Sequence, residues 1–376
     1  MILNSKQITN RMAKILELIA RSIIYRSRAY LNINHRPSFL VFYTTFRCDS
    51  RCRACNVWRG NDIQKKEVEL TLEQVDKIFS DPLFANLEHI NFQGGEATLR
   101  DDLIELVQTT IRRVGTLKRI SLTSNGLDSD RVPQMVEKLW HCCRDHGLHF
   151  GLSLSIDGVG EYHDYARGKD AFKKVTRTLS QLDHMRGRDG FSLGTNCVLT
   201  THNIDNIDEI LEFQKNTFNT TNLTVVEFRE HFLNTKDTAN AEKLLFSMDE
   251  NAKKKLIHFL EKHNRPKNLG DIMAYRYEQL LSMISENKPR TQACQYRING
   301  MVLDHRGGLM LCPIGGHLGS CLENEPSQLY WNQRTKKVRN EMMGKSCLNC
   351  YPYNFYPSEL AMDLVPYLIW YLKTRN

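Results

Sequence analysis

Apolar residues recur along this chain in two rhythms that take turns. Short runs rich in β-branched and aromatic side chains are too brief for helices and read as buried strands. The first is Ser38 to Phe46, SFLVFYTTF. Between such runs, apolar residues recur at helical spacing. The predicted order is helix Leu72 to Ser80, strand His89 to Gln93, helix Leu103 to Arg113, strand Arg119 to Thr123 and helix Arg131 to His146. It continues with strand His149 to Ser155, helix Ala171 to Met185, strand Ser192 to Leu199, helix Ile207 to Phe218 and strand Leu223 to Phe228. Each crossover helix returns the chain to the same edge, so the strands should pair in parallel. The fold class expected is α/β: a partial (β/α)6 barrel of parallel strands, with a small Cys-rich C-terminal domain and an N-terminal helix. Functional loops belong at the C-terminal strand ends, where side chains converge.

The alternation stops near Asp249, and two helical stretches lead to a Gly-rich tail from Cys294. The organisation expected is an N-terminal amphipathic helix over 1–37, a core over 38–248, a helical connector over 249–293 and an auxiliary domain with a C-terminal helix over 294–376. Ile8, Met12, Ile15, Leu16, Ile19 and Ile23 form an apolar stripe among Lys14, Arg21, Arg26 and Arg28. Such a stripe suits either the protein's own core or a membrane interface. The run Leu360 to Leu372 is similarly apolar but contains Asp363 and Pro366. No apolar run reaches the roughly 18 residues of a spanning helix.

Composition is that of an ordinary globular chain, 41% hydrophobic and 25% charged over 376 residues. The formal charge of +8 comes from scattered Lys and Arg with no dense block, so a solvated surface is expected and nucleic acid is not. Eleven cysteines without a signal peptide argue for a cytoplasmic, possibly membrane-associated protein whose thiols bind metal rather than form disulfides. Eight of them fall into two groups, one near the N-terminus and one from Cys294 to Cys350.

Cys48, Cys52 and Cys55 follow the first predicted strand at C-x3-C-x2-C spacing. Three thiolates on a 4Fe-4S cluster leave one iron open, as a catalytic site needs. Zinc would require a fourth ligand, such as His35 or His89. Gly94-Gly95-Glu96 ends the second strand, where paired glycines let backbone approach a ligand and Glu96 offers an acceptor in an open pocket.

This C-x3-C-x2-C after the first strand of a partial α/β barrel resembles the defining motif of radical S-adenosylmethionine (SAM) enzymes, and Gly94-Gly95-Glu96 is similar to their GGE motif. The resemblance implies that the open iron binds the amino and carboxylate groups of SAM, that Glu96 contacts the amino group, and that reductive cleavage yields a 5'-deoxyadenosyl radical which takes hydrogen from substrate. Many members carry an aromatic residue before the third cysteine where this chain has Ala54; Val57 and Trp58 would supply that apolar cover. A usual proline after GGE is replaced by Ala97. Ser153, Ser155 and Asp157, with the downstream stretch His163 to Gly168, resemble the SPASM-type subfamily, which makes Ser155 and Arg167 candidates for SAM's ribose or carboxylate. Ser124, Asn125 and Asn196 resemble positions that line the SAM cavity, and Glu227, near the end of the sixth strand, is a candidate cavity residue or a solvent-facing carboxylate. Cys142, Cys143 and Cys197 read as core thiols.

In the tail, Cys294 and Cys312 flank Gly307 in an arrangement suited to a hairpin, and Cys347 and Cys350 form a C-x2-C pair. The set resembles a twitch domain with a second, auxiliary 4Fe-4S cluster. Four cysteines equally suit zinc by count. Cys321 stands as a replacement ligand, a catalytic hydrogen donor or a loop thiol. The leading expectation is hydrogen abstraction from a sugar, aminocyclitol or other small molecule for oxidation or epimerisation, with a flavodoxin- or ferredoxin-type electron donor. The stretch before the first strand shows no added winged-helix peptide-binding domain, which favours that class over peptide maturation. A noncatalytic iron-sulfur or zinc protein that binds RNA is the alternative from another class, and Gly94-Gly95-Glu96 argues against it.

Overall fold

The computed structural model describes residues 16, 18–27, 36–55, 57–60, 69–227, 242–268, 271–344, 347–351 and 357–374. Six strands run parallel in chain order: β1 (Phe39–Thr45), β2 (His89–Gly94), β3 (Arg119–Ser124), β4 (His149–Ser155), β5 (Phe191–Leu199) and β6 (Thr220–Val225). All of β1 is buried, as a parallel strand covered on both faces requires. Helices Leu72–Phe79, Leu103–Arg113, Arg131–Asp145, Ala171–Gln181 and Ile207–Thr217 stand where the apolar spacing places them. The first opens on a capping box, in which Thr71 and Gln74 each accept from the other's backbone N–H. It buries Val75, Ile78 and Phe79.

Two elements differ from the sequence reading by more than one residue. The helix expected to reach Met185 ends at Gln181 and gives way to a 3-10 turn, Asp183–Met185. β6 begins at Thr220 rather than Leu223, because its backbone pairs with Gly194 to Leu199 of β5. Ladder bonds do not depend on side-chain polarity, so Thr220, Thr221 and Asn222 give no strand signal. The last residue expected in that strand, Phe228, lies outside the described residues.

The hairpin expected around Gly307 is present. β7 (Gly300–Leu303) and β8 (Gly308–Cys312) are antiparallel, and Gly307 turns between them at φ +86°. β9 (Gly315–Ser320) follows, antiparallel to β8. β7 runs parallel to β1 on the edge that β2 leaves open. The result is an open sheet of order β6-β5-β4-β3-β2-β1-β7-β8-β9, not a closed barrel.

Contacts group the described residues into two compact units. The first lies within Pro37–Leu256 and Gly300–Arg339 and contains the sheet. The second lies within Met1–Arg36, Ile257–Asn299 and Asn340–Asn376. Its core is Tyr275, Leu360 and Tyr367, against which Leu18, Ile272 and Trp370 pack. In the N-terminal stripe Leu16, Ile19 and Ile23 are exposed; Ile8, Met12, Lys14, Ile15 and Arg28 lie outside the described residues. Among the described residues no helix is long and apolar enough to cross a membrane.

Candidate functional site

β1 ends at Thr45, and the chain enters the loop from Cys48 to Cys55 at the C-terminal ends of the parallel strands. Two backbone bonds stitch the root of this loop to the end of β2. The N–H of Gly95 donates to Thr45 O at 2.8 Å, and that of Glu96 to Arg47 O at 2.7 Å. A Cβ at Gly94 would stand 2.1 Å from Thr45 O, and one at Gly95 2.2 Å from Arg47 O. The paired glycines therefore permit the close approach of β2 to the cysteine loop. Arg100, itself buried, holds the same region from behind through Thr44 O at 3.1 Å and Leu70 O at 2.5 Å.

Glu96 is buried, which corrects the expectation of an open pocket. Its Oε1 accepts from the Thr98 hydroxyl at 2.7 Å and the Thr98 N–H at 3.2 Å, and Oε2 accepts from the Asn125 N–H at 2.7 Å. Burial, and next the Asp49 carboxylate, push its pKa up to about 7. The Asn125 side chain reaches back to the cysteine loop, where Nδ2 donates to Asp49 Oδ1 at 2.7 Å and lies 3.9 Å from Cys48 Sγ. Asp49 went unremarked in the sequence; its place inside the cysteine motif was the available signal.

The other side of the loop is held by helix Glu161–Arg167, which apolar spacing did not reveal. Its last carbonyls lack intrahelical partners. Arg167 O accepts from Arg51 N–H at 3.2 Å and from the Ser50 hydroxyl at 3.1 Å, and Ala166 O from Arg53 N–H at 2.9 Å. The Arg167 side chain donates through Nε to Asp157 Oδ2 at 2.7 Å, and Nη1 lies 3.7 Å from Cys52 Sγ. Burial opposes its charge, but Asp157 and then Cys52 outweigh that and raise its pKa. Asp157 is fixed in turn: Oδ1 accepts from Val198 N–H at 2.8 Å, and its carbonyl accepts from Asn203 Nδ2 at 2.7 Å. His163 is buried and, chiefly for that reason, held down to about 4, so it is neutral and accepts from the Asp157 N–H through Nδ1 at 3.1 Å. Thus Asp157 and Arg167 grip the cysteine loop from within the protein.

Ser153 accepts from Asn196 Nδ2 at 2.8 Å, and Asn196 Oδ1 accepts from Asn222 Nδ2 at 3.0 Å. These polar side chains lie across neighbouring β4, β5 and β6. Ser155 shares the half-buried face of Ser153. The Ser124 hydroxyl accepts from Gly126 N–H at 3.0 Å and fixes the turn after β3. Glu227 is half-buried just past β6. Trp58 lies on the cysteine loop: Nε1 donates to Cys52 O at 3.1 Å, and its ring faces the Arg51 guanidinium at 5.2 Å.

The donor set fits an iron-sulfur cluster. Burial and the neighbouring Cys52 raise the pKa of Cys48, and the same causes push Cys55 up to about 12. Thiols this crowded become thiolates when cations neutralise them. Among the described residues no three Cys, His, Asp or Glu side chains converge as one metal ion would require. A cubane asks for no such convergence, since each cysteine binds a different iron. His89, weighed as a fourth zinc ligand, begins β2 and bonds Ser121 Oγ at 2.7 Å, at the opposite end of the strands from the loop. His35 lies outside the described residues.

In the tail, Cys294, Cys347 and Cys350 belong to the helical unit and Cys312 to the sheet unit. Arg290 Nη1 lies 3.8 Å from Cys350 Sγ, and the Arg290 N–H donates to Leu348 O at 2.7 Å. Cys312 ends β8, whose antiparallel register brings it level with the start of β7 and hence of β1. That is the end of the sheet away from Cys48. Cys321 lies at the other end, its N–H donating to Gly307 O at 2.8 Å. It is buried, and burial, then Asp304 and Asp81, push it up to about 12, so it is a thiol at neutral pH. Cys142, Cys143 and Cys197 are all buried.

An open, mostly parallel α/β sheet with three thiols at the C-terminal end of its first strand defines a class of half-barrel proteins with a strand-end cysteine loop. Residues 42–214 match the Radical SAM superfamily model, and the chain carries a radical SAM domain. That domain implies a 4Fe-4S cluster and SAM. A GTP 3',8-cyclase of Marinobacter nauticus is 33% identical over 188 residues, which is 47% of this chain and 50% of that protein. The mycofactocin maturase MftC of Mycolicibacterium smegmatis is 28% identical over 175 residues, 46% of this chain and 40% of that protein. The chain thus spans half or less of these relatives' lengths. The solved structure of anSMEcpe with bound AdoMet superposes with a TM-score of 0.56 at 15% identity, covering 90% of this chain and 96% of that one. SuiB of Streptococcus suis bound to precursor peptide SuiA gives 0.52 at 13% identity, covering 89% and 72%. At such identity the likeness is one of fold.

Proposed function

We propose that this protein cleaves SAM reductively and abstracts hydrogen from an organic substrate, with Cys48, Cys52 and Cys55 as the cluster ligands. The observation that carries the reading is the three-sided clamp on the cysteine loop: Gly95 and Glu96 at its root, Asn125 at Cys48 and Arg167 at Cys52. When bound, the cluster and SAM supply an electron and a 5'-deoxyadenosyl radical. This chain's residues fix the loop at the C-terminal strand ends, where Cys48, Cys52 and Cys55 would hold the cluster and leave one iron for SAM. Ser153 and Asn196, on that sheet's polar face, are the candidates for orienting SAM, as are Ser155 and Glu227. Gly94, Gly95 and Ser124 shape the rim. Glu96, Asp157 and Arg167 act through the backbone and the thiols they hold.

The substrate class put forward is a small molecule such as a sugar or aminocyclitol, with oxidation or epimerisation as the outcome and a flavodoxin- or ferredoxin-type protein as donor. Peptide maturation is the second reading, favoured by the likeness to anSMEcpe bound to the Kp18Cys peptide, with a TM-score of 0.54 and 89% of this chain covered. Cys294, Cys312, Cys347 and Cys350 are proposed to bind the auxiliary 4Fe-4S cluster. Cys321, a protonated thiol at the catalytic end of the sheet, is proposed as the hydrogen donor of an epimerisation. The test is anaerobic incubation of reconstituted protein with SAM, dithionite and deuterated small-molecule or peptide fractions. Deuterium in 5'-deoxyadenosine identifies the substrate fraction. Absence of 5'-deoxyadenosine from a reduced, iron-replete sample overturns the proposal.

A further inference from the structure

Three of the tail cysteines lie on two segments of the helical unit, and one arginine joins those segments. Arg290 follows helix Ile272–Ser285 and is buried, with 5% of its surface exposed. Its Nε donates to Gln292 O at 3.0 Å and its Nη2 to Ala293 O at 2.6 Å, so the chain curls round the guanidinium just before Cys294. Its backbone N–H donates to Leu348 O at 2.7 Å, between Cys347 and Cys350. Its Nη1 lies 3.8 Å from Cys350 Sγ. The Cys294 arm is held as well by Asp363, also buried, whose Oδ2 accepts from the Ala293 N–H at 2.9 Å. Burial raises the pKa of Cys347, and the charges of Arg297 and Arg290 oppose that rise.

We propose that Arg290 is the positioning residue of the tail metal site: it clasps the Cys294 arm to the Cys347–Cys350 loop and sets a cation against the Cys350 sulfur. The inference rests on the reading of Cys294, Cys347 and Cys350 as ligands and adds what brings them together. A buried guanidinium costs stability unless its donors are used, and Arg290 uses them on the two segments that carry the thiols. A planar fork can reach two carbonyls and a sulfur at once, whereas a lysine ammonium is a point charge on a flexible stem. The placement parallels that of Arg167, whose Nη1 lies 3.7 Å from Cys52 Sγ while its carbonyl accepts from Ser50 in the first cysteine loop. Positive charge and N–H donors beside ligand sulfurs favour the thiolate, and they favour the reduced, more negative state of a cluster.

The test is metal release from the reconstituted full chain to an iron and zinc chelator, with iron, sulfide and zinc assayed over time in the parent, Arg290→Lys and Arg290→Gln. Zinc analysis keeps the release readable whichever metal the tail holds. Arg290→Gln should release the tail metal about tenfold faster than the parent, the loss of one charged hydrogen bond, and Arg290→Lys should fall between them. The SAM-responsive signal of the first cluster serves as the control for folding. Redox titration of freshly loaded protein supplies a readout that a merely structural arginine would not move: the tail cluster's potential should drop in Arg290→Gln and be restored in large part by Arg290→Lys. Tail metal in the parent, retained equally by both variants, overturns the inference and leaves the ligand set standing. A parent with about four irons and no zinc overturns the ligand set, and the inference with it. Loss of the first cluster's signal in both variants would mark a general structural role and overturn the inference as well.

Discussion

The backbone N–H of Asn125 donates to Oε2 of Glu96 at 2.7 Å, a bond that joins the ends of β2 and β3 under the cysteine loop. Because Oε1 is taken by Thr98, removing the carboxylate leaves three donors without their acceptor. Glu96→Ala should therefore cost about 3 kcal/mol of stability as well as weaken cofactor loading. A Glu96 role confined to SAM binding predicts an unchanged urea midpoint.

The same group sets a pH dependence. Its folded pKa of about 7 exceeds the ordinary value of 4.5, so the folded state binds the proton more tightly. The stabilisation is complete below pH ~4.5 and is lost as pH rises through about 7, a swing on the order of 3 kcal/mol. Denaturant melts of the apoprotein and of Glu96→Gln across this window check it: the variant's stability should fall less steeply with pH.

Gly95→Ala should be worse than an ordinary surface Gly→Ala. Its Cβ would collide with Arg47 O, whose own bond to the Glu96 N–H fixes the loop root. A loss of about 2 kcal/mol or more and incomplete iron uptake are expected. Wild-type iron content with a normal melting temperature would show that the strands can part there freely.

Arg167 puts a cation 3.7 Å from Cys52 Sγ. Positive charge and N–H donors near cluster sulfurs raise reduction potentials. Arg167→Gln should lower the potential of the reconstituted cluster by ~50 mV, the equivalent of one modest charged hydrogen bond. Arg167→Lys should fall between the two. Redox titration followed by electron paramagnetic resonance reads this shift without any turnover.

Cys52→Ala should abolish 5'-deoxyadenosine formation, since losing one thiolate detaches the cluster or uncaps an iron. Retained product in an iron-replete variant would remove Cys52 from the ligand set.

Replacing Cys347 and Cys350 together by Ala should lower iron from about eight to about four per chain while the SAM-responsive signal persists. Iron and sulfide assays decide between a second cluster and zinc. Full iron content in the variant would refute the tail ligands.

Much of this fold was legible in the sequence because a strand buried on both faces and a helix buried on one leave different local rhythms. β1 to β5, the longer helices between them and the cysteine loop at the end of β1 all follow from that periodicity and spacing, whereas the short helix Glu161–Arg167 does not. The hairpin around Gly307 was also readable, since a left-handed turn needs glycine. Pairing partners were not, because periodicity says that a strand is covered and not by which neighbour. Only the fold brings β7 against β1 and sends Cys312 to the end of the sheet away from Cys48. Only the fold brings Arg167 to Cys52, 115 residues distant in sequence, and encloses Glu96 between Thr98 and Asn125. The sequence could say that a carboxylate follows two glycines at a strand end. Its burial depends on β3 arriving beside β2, a long-range contact that no local pattern records.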